Sequence, residues 1–398
     1  MKKLLLILAL LITPSVGSAE VVIIGGAEFA TLNLGGVAIG TVAASTATVR
    51  TGVYSARIVP TGTNTGAWRM NGLTTTGDLV NIDKATTYDT FYFRYATKPA
   101  SDEEEMWSAN FSATVTDHKY SLRLDSDGNV NGYNADGTLT DSGTTVLSAN
   151  TWYKIQISVG TSATVGAYEL KINDVTEFSG TTNTSATNHF GHYFGKIVNQ
   201  NGQSVEFFYD DIHIDDSVFL AGDKIIRINP VANGSTMQWT GGTNGSDYQE
   251  VDETLLDSDT TYVQSVNDGD VALFDLTDTA TAGISGNVYA VFGAMYIKET
   301  GVDSQATIRF RSGSTNSNST TFNQNTNYTA KMKILDEDPD TTSEWTISAI
   351  DALEFGAVQT DVSGGTESRL TQAAVEVLWA EAGGGEPAAG EEYIIIFD

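Results

Sequence analysis

Two glutamates at alternating positions are the first residues whose spacing suggests chemistry. Residues 102–107 read Asp-Glu-Glu-Glu-Met-Trp, so Glu103, Glu105 and Trp107 would share one face if this stretch were a strand. Two carboxylates about 5 Å apart can cleave a glycosidic bond, one as nucleophile and one as acid/base. The preceding residues 98–101 include a proline and are typical of a loop. A solvated acidic loop is therefore the simpler interpretation.

A second acidic stretch, residues 205–216, reads VEFFYDDIHIDD. Alternation would place Phe208, Asp210, Ile212 and Ile214 on one face, and Phe207, Tyr209, Asp211 and His213 on the other. The isoleucines mark the first face as the core side, where a buried acid needs hydrogen-bond donors such as backbone amides of a neighbouring loop. We therefore predict that Asp210 is a structural clamp. Asp210 and Asp211 would point apart and could not act as a catalytic pair without a bulge.

Metal ligation is suggested at two places. Asp125 and Asp127 in DSDGN could be read as calcium ligands, but the glycine and glutamate of an EF-hand loop are missing, and a hairpin turn is simpler. His189 and His192 form an HxxH pattern, yet on a strand they would point to opposite faces. No cofactor is predicted and no metal site is assigned, while calcium bound by other acidic loops is left open.

Composition excludes several classes of function. Lys plus Arg total 21 against 50 Asp plus Glu, a net charge of −29. Such a surface repels phosphate backbones and anionic membranes, so nucleic-acid binding is not expected. The chain has no cysteine, which excludes disulfides, thiolate metal sites and cysteine nucleophiles.

The first residues predict export. Residues 1–19 combine two lysines, a short apolar run, a proline and small residues, which is typical of a secretory signal peptide cleaved after Ala19. The apolar run is too short for an ordinary spanning helix, and no other segment resembles one. The mature chain is expected to be secreted and to have no membrane span.

Alternation of period two recurs along the chain and predicts half-buried antiparallel strands separated by turns. Apolar faces are formed by Tyr120, Leu122 and Leu124, by Ile155, Ile157 and Val159, and by Ala306, Ile308 and Phe310. We predict an all-β chain with two tandem antiparallel β-sandwich (jelly-roll) domains, residues 20–218 and 223–382. Residues 383–398 are predicted to be a flexible linker and a β-prone terminal peptide.

Residues 27–216 resemble the concanavalin A-like, laminin-G-like jelly-roll superfamily. The resemblance is carried by residues 50–58 and by the stretches FYFRYATKPA, SLRLDSDGNV, TWYKIQISVG, YELKIND and YDDIHI. Downstream, AGDKIIRINPVANGSTMQW and SRLTQAAVEVLW are similar to a module that follows such jelly rolls in phage-type and environmental structural proteins. That similarity implies a virion, tail or surface-assembly component, although a signal peptide departs from the phage pattern.

The resemblance also implies carbohydrate recognition. Candidate sugar-binding residues are Trp107, Tyr133, His192 and Tyr193. A glucanase-type glycoside hydrolase using Glu103 and Glu105 is the alternative, but here acids occupy positions that are apolar in that pattern. The expected function is a non-catalytic exported surface, adhesion or assembly protein that binds a glycan or cell-surface ligand. A virion or tail protein is the third hypothesis.

The chain ends in EEYIIIFD, and self-assembly is expected from an edge strand or from this peptide, whose assembly residues are Tyr393, Ile394, Ile395, Ile396 and Phe397. A strand-forming peptide on a flexible tether can pair with an open sheet edge of a neighbouring subunit, or with its own second domain.

If the peptide pairs between subunits, deleting residues 393–398 should convert larger species to monomers in size-exclusion chromatography with light scattering. Substituting Glu391 and Glu392 by Gln keeps the apolar residues and is the control. A deletion that changes neither assembly state nor stability would contradict the tether hypothesis.

Overall fold

The computed structural model describes residues 21–25, 36–40, 42–60, 65–70, 72–73, 79–80, 82–114, 117–196, 203–241, 247–362 and 366–382. The predicted signal peptide and the predicted linker and terminal peptide lie outside the described residues.

Strands dominate both halves of the chain. Up to residue 215 they are β1 (Val21–Gly25), β2 (Gly36–Gly40), β3 (Val42–Ser45), β4 (Ser55–Ile58), β5 (Gly66–Met70), β6 (Gly72–Leu73), β7 (Leu79–Val80), β8 (Thr86–Thr97), β9 (Glu103–Asn110), β10 (His118–Asp125), β11 (Val130–Asn134), β12 (Leu139–Ser142), β13 (Tyr153–Gly160), β14 (Gly166–Ile172), β15 (Val175–Thr182), β16 (Gly191–Lys196) and β17 (Glu206–Asp215).

The remaining strands are β18 (Lys224–Ile228), β19 (Pro230–Met237), β20 (Thr240–Gly241), β21 (Val263–Ser265), β22 (Val271–Leu276), β23 (Gly286–Glu299), β24 (Ser304–Ser312), β25 (Thr315–Asn318), β26 (Phe322–Asn323), β27 (Thr329–Leu335), β28 (Glu354–Val362) and β29 (Ser368–Glu381). The helices are a 3-10 turn (Asp247–Glu250), α1 (Thr279–Ala282) and α2 (Ile347–Asp351). Within the described ranges, none of these helices has the length and apolar character needed to cross a membrane.

The first sandwich packs two antiparallel sheets face to face. One has the order β15-β14-β13-β8-β17-β4-β3, with β1 also paired to β17, and the other has the order β12-β11-β10-β9-β16-β5-β2. The predicted apolar faces of β10 and β13 meet in one buried core, where Leu122 and Leu124 face Ile155 and Ile157. The predicted all-β sandwich class is confirmed.

The second sandwich is built in the same way from residues 224–381. Its sheets have the orders β20-β21-β29-β23-β27, with β18 paired to β29, and β19-β22-β28-β24-β25, with β26 paired to β24. Ile308 and Phe310 of β24 are buried in one core with Val375 and Val377 of β29. The described strands of the two sandwiches do not pair with each other.

A bulge in β17 overturns the predicted faces of that strand. Asp210 lies opposite Tyr92 and His213 opposite Thr90, so β17 carries one residue more than β8 between the two pairs. Asp211 has a positive φ of 50° within the bulge. Phe207 and Tyr209 consequently join Ile212 and Ile214 in the core. The alternation argument was wrong because it assumed an uninterrupted ladder.

The bulge orients the Asp211 carboxylate toward the second sandwich. Its oxygens accept the Ile225 backbone N–H at 2.6 Å, the Arg50 Nη1 at 2.6 Å and the Thr51 hydroxyl. Arg50 also donates to the Asp223 carbonyl at 2.5 Å. The Asp211 side chain is fully buried. Arg50, Thr51, Asp211 and Asp223 therefore form an interdomain clasp.

Asp210 stabilises the interdomain clasp from within the first sandwich. Its carboxylate accepts the backbone N–H of Arg50 at 2.8 Å and that of Asp211 at 2.9 Å. The Arg50 guanidinium lies over the Tyr92 ring, 3.2 Å from its centroid. These contacts hold the Arg50 loop in place on the first sandwich, so that its side chain reaches the second.

An apolar surface lies beside the clasp. The sheet containing β23, β27 and β29 buries a second set of side chains on the face away from its core, formed by Ile225, Ala290, Phe292, Ala294, Tyr296, Met332, Ala374 and Leu378. Leu220, from the segment that joins the sandwiches, packs against this set. Strand β1 pairs with β17 and also lies against β27 and β29.

Asp211→Ala should lower the free energy of unfolding by about 3–5 kcal/mol, because it removes the fully buried carboxylate that pairs with Arg50 and accepts the Ile225 N–H. The control is Glu206→Gln on the same strand, which removes the half-exposed ion pair with Arg57 and should cost no more than about 1 kcal/mol. Urea denaturation measures both. Equal midpoints for the two variants would argue against the clasp.

Candidate functional site

Residues 103–107 belong to a strand and are buried apart from the half-buried Glu103, so the prediction of a solvated loop was wrong for them. The loop ends at Asp102, which has a φ of 67°, and β9 begins at the next residue. Strands β10 and β16 flank β9 on both sides, so neighbouring strands bury even its acidic residues. Glu104 points to the core side, where it forms a fully buried ion pair with Lys196 at 2.9 Å.

A bulge in β9 separates Trp107 from the two candidate glutamates. Trp107 lies opposite Leu122, whereas Glu105 lies opposite Arg123, so Met106 is the extra residue. Met106 and Trp107 are both in the core. Glu103 and Glu105 remain on the outward face, and Trp107 cannot stack on a sugar beside them.

The outward face of this sheet is strongly polar. One cross-strand row runs through Arg69, Tyr193, Ser108, Ser121 and Tyr133, on β5, β16, β9, β10 and β11. A second row next to it joins Glu105, Arg123 and Asn131. We call these residues, together with Glu103 and His118, the polar face.

Glu103 is held at one end of the polar face by three donors. The Tyr133 hydroxyl donates to its Oε1, Asn131 Nδ2 donates to its Oε2 at 3.3 Å, and Arg123 Nη1 lies 3.4 Å from Oε1. The Arg123 guanidinium covers the Tyr133 ring at 3.7 Å. Burial, with the Glu103 carboxylate beside it, raises the pKa of Tyr133 to about 12.

Glu105 has a different environment. Its side chain is fully buried, and neither carboxyl oxygen has a hydrogen-bond partner. The imidazole of His118 lies nearby, with its Nε2 3.6 Å from Oε2. Burial raises the pKa of Glu105, and His118, the nearby Ser108 hydroxyl and Arg123 oppose this shift only in part. Glu105 therefore favours its protonated, uncharged form more than an exposed glutamate does.

Several other atoms of the polar face also have no partner. They are Ser121 Oγ, Arg123 Nε, Asn131 Oδ1, Tyr193 Oη and Arg69 Nε. Buried polar atoms are nearly always paired in folded proteins, and each unpaired one costs roughly 1–3 kcal/mol. The set contains both donors and acceptors on one surface. A bound molecule rich in hydrogen-bonding groups would satisfy them together.

Trp107 and His192 belong instead to a network inside the core. His192 Nδ1 lies 2.5 Å from Asp89 Oδ2, and His192 Nε2 lies 2.8 Å from His189 Nδ1. His189 continues to the Val159 carbonyl at 3.0 Å, and Trp107 Nε1 donates to Asp89 at 2.9 Å. The two histidines do not share a strand, because His189 precedes β16, and their rings contact each other.

The structure thus divides the candidate sugar-binding residues. Tyr133 and Tyr193 lie on the polar face, whereas Trp107 and His192 are enclosed in the core network. Asp125 closes the β10–β11 hairpin, since its Oδ1 accepts the backbone N–H groups of Asp127, Gly128 and Asn129. Burial raises the pKa of Asp125, but these amides outweigh it and leave the pKa below its ordinary value.

No group of three His, Asp or Glu side chains in the described ranges has a geometry suited to a metal ion. Sequence reasoning missed Arg69, Ser121, Arg123 and Asn131 as site residues. Alternation with Leu122 and Leu124 already pointed Ser121 and Arg123 outward. Only the strand register brings them beside Asn131 and Glu105.

No protein-family model and no curated protein matches the sequence. Solved structures similar to part of it include domain 4 of AbnA, a GH43 extracellular arabinanase from Geobacillus stearothermophilus, in complex with arabinotriose (15% identity over 51% of this chain and 95% of that chain, TM-score 0.34). Another is carbohydrate binding module CBM66 from Bacillus subtilis (10% identity, 45% and 95%, TM-score 0.31).

A third is the Emp46p carbohydrate recognition domain (10% identity, 46% of this chain and 89% of that chain, TM-score 0.32). At these TM-scores the similarity carries no inference about ligand or activity.

The core network predicts acid sensitivity. Burial, then the charges of His192 and Lys119, hold the pKa of His189 well below its ordinary value. The unfolded chain therefore binds a proton below about pH 6.5 that the folded chain does not, and stability falls on acidification. His189→Gln should flatten this fall by up to about 1.4 kcal/mol per pH unit.

The measurement is urea denaturation from pH 7.5 to 5, with Asn188→Ala as the exposed neighbouring control. His213, whose pKa burial lowers to about 3, contributes in the same direction and remains in both variants. Parallel curves for the wild type and His189→Gln would exclude a neutral buried His189.

Proposed function

We propose that the polar face is a carbohydrate-binding site and that the chain is an exported surface protein that uses it for adhesion or assembly. The observation that carries the proposal is the set of buried donors and acceptors without partners on one sheet face. They are carried by Glu105, Ser121, Arg123, Asn131 and Tyr193.

The chemistry of these groups suits a polyol. Every sugar hydroxyl is both a donor and an acceptor, so its site must offer both kinds of group. Arg123 Nε only donates, Asn131 Oδ1 only accepts, and the hydroxyls of Ser121 and Tyr193 can do either. A site with buried polar groups rejects ligands that cannot pair with them, which is the physical basis of specificity here.

The exposed fractions of the side chains show where solvent reaches the polar face. The Glu105 side chain is 0% exposed, whereas the side chains of Arg123 and Glu103 retain 11% and 16%. Solvent therefore reaches the face at the Glu103 end. The resemblance of residues 27–216 to concanavalin A-like jelly rolls, together with the predicted signal peptide, supports an extracellular glycan ligand.

Glycoside cleavage is the second candidate, and one observation favours it. Glu103 and Glu105 lie on the same face of β9 in unlike surroundings, the first beside Arg123 and the second in a desolvated site that raises its pKa. Two carboxyl groups with divergent environments are the arrangement that divides acid and base roles in glycosidases.

Ser121→Ala and Asn131→Ser should weaken glycan binding about tenfold each, the effect of losing roughly one hydrogen bond. Ser121→Ala should leave the melting temperature unchanged or raised, since its hydroxyl has no protein partner. Binding is measured on a glycan array and then by calorimetry with the soluble ligand. The control is Ser158→Ala, on β13 of the other sheet.

Binding that survives both substitutions, or an array with no ligand for the wild type, would refute the proposed site. A reducing-end assay on the same ligand tests cleavage. Under the second candidate, Glu105→Gln abolishes product release and retains binding, whereas a pure binding protein releases no product in either form.

A further inference from the structure

Arg69 stands out among the cationic groups of the first sandwich. It lies on β5, opposite Tyr193 in the strand register, and is half-buried. Its guanidinium carbon is 5.5 Å from the centroid of the Phe190 ring and 5.9 Å from that of Tyr193. Its Nε is buried and has no hydrogen-bond partner.

Three of the other four arginines of this sandwich pair with a carboxylate. Arg50 pairs with Asp211, Arg57 with Glu206 and Arg123 with Glu103. Within the described part of the chain Arg69 and Arg94 form no ion pair, but Arg94 donates to Asn150, whereas the buried Nε of Arg69 has no partner. Carboxylates are not scarce, since the chain has 50 acidic residues against 21 basic ones. A partly desolvated guanidinium without a counter-charge is unfavourable.

We propose that Arg69 binds the carboxylate of an acidic sugar residue, so that the ligand of the polar face is an oligosaccharide containing a uronic-type acid. This inference rests on the proposed function. The planar guanidinium can hold a carboxylate through two parallel hydrogen bonds, and the rings of Phe190 and Tyr193 restrain it in one orientation.

The length of the cross-strand row from Arg69 to Tyr133 indicates the size of the proposed ligand. From Arg69 on β5 to Tyr133 on β11 the row crosses four strand spacings, which is about 19 Å. That distance suits an oligosaccharide rather than a single sugar. The acid would lie at the Arg69 end, and neutral residues would extend toward the Glu103 end, where solvent reaches the face.

The net charge limits how acidic the ligand can be. A chain of net charge −29 repels polyanions, most strongly at low ionic strength. One Arg69 can neutralise one carboxylate. The ligand class is therefore a sparsely acidic glycan, and densely charged chains are disfavoured.

The test compares one uronic-acid-containing oligosaccharide with the same molecule after its carboxylate is reduced to an alcohol. Calorimetry on the full chain should show about tenfold tighter binding of the acid form. Arg69→Gln should abolish this preference, so that the acid and reduced forms bind with equal affinity. Arg69→Lys keeps the positive charge but loses the two parallel N–H donors of the guanidinium, so it should retain part of the preference for the acid form. It replaces Arg69→Gln as the test if the Gln variant folds poorly.

The matched control is Arg94→Gln. Arg94 faces outward on the other sheet, lies over the Phe208 ring at 5.1 Å and donates to Asn150 rather than to a carboxylate. The preference should survive this change. A sulfated oligosaccharide of the same backbone forms a third arm, because a sulfate presents similar oxyanion chemistry, and tighter binding of that form would overturn the carboxylate assignment.

Equal wild-type affinities for the acid and reduced forms, or a preference that survives Arg69→Gln, would overturn the role of Arg69. If the reduced form still binds and Ser121→Ala weakens it, the proposed function stands without this inference. If neither form binds the wild type and the glycan array also yields no ligand, both fail.

Discussion

The buried carboxylate of Asp211 is the interaction on which the arrangement of the two sandwiches depends. A charge taken out of water must be met by strong donors, and here Arg50, Thr51 and the Ile225 amide meet it from both sides of the domain boundary. The donors converge only because β17 bulges at this residue. The bulge also brings Phe207 and Tyr209 into the core, so core packing and domain contact share one cause.

A β-bulge also determines which side chains lie on the polar face. In β9 the bulge at Met106 sends Trp107 to the core and leaves Glu103 and Glu105 facing outward. An uninterrupted strand would have placed all three on one side. One extra residue thus decides whether the acidic pair lies beside an aromatic ring or beside Arg123, Asn131 and Tyr133.

Core and polar face are built on the same strands. β16 presents His192 to the core and Tyr193 to the outward face, and β9 does the same with Trp107 and Ser108. The Asp89–His192–His189 network therefore lies directly beneath the row that contains Ser108 and Tyr193. Hydrogen bonds that hold the core side of these strands also restrain the side chains of the candidate site.

Composition and alternation were enough to determine the all-β class, the sandwich architecture and the apolar faces of β10, β13 and β24. These follow from local rules, because a strand of period two shows its buried side in sequence. Alternation also singled out Glu103 and Glu105, whereas Tyr133 and Tyr193 were candidates because of the resemblance to concanavalin A-like jelly rolls.

Only the tertiary structure decided where those residues point and which partners they have. A bulge has no clear sequence signature, yet it turns the side chain of every later residue of its strand to the opposite face of the sheet. Register then joins residues far apart in the chain, such as Arg69 with Tyr193 and Arg50 with Asp211. Pairing of buried charges depends on such distant neighbours, and no local pattern contains them.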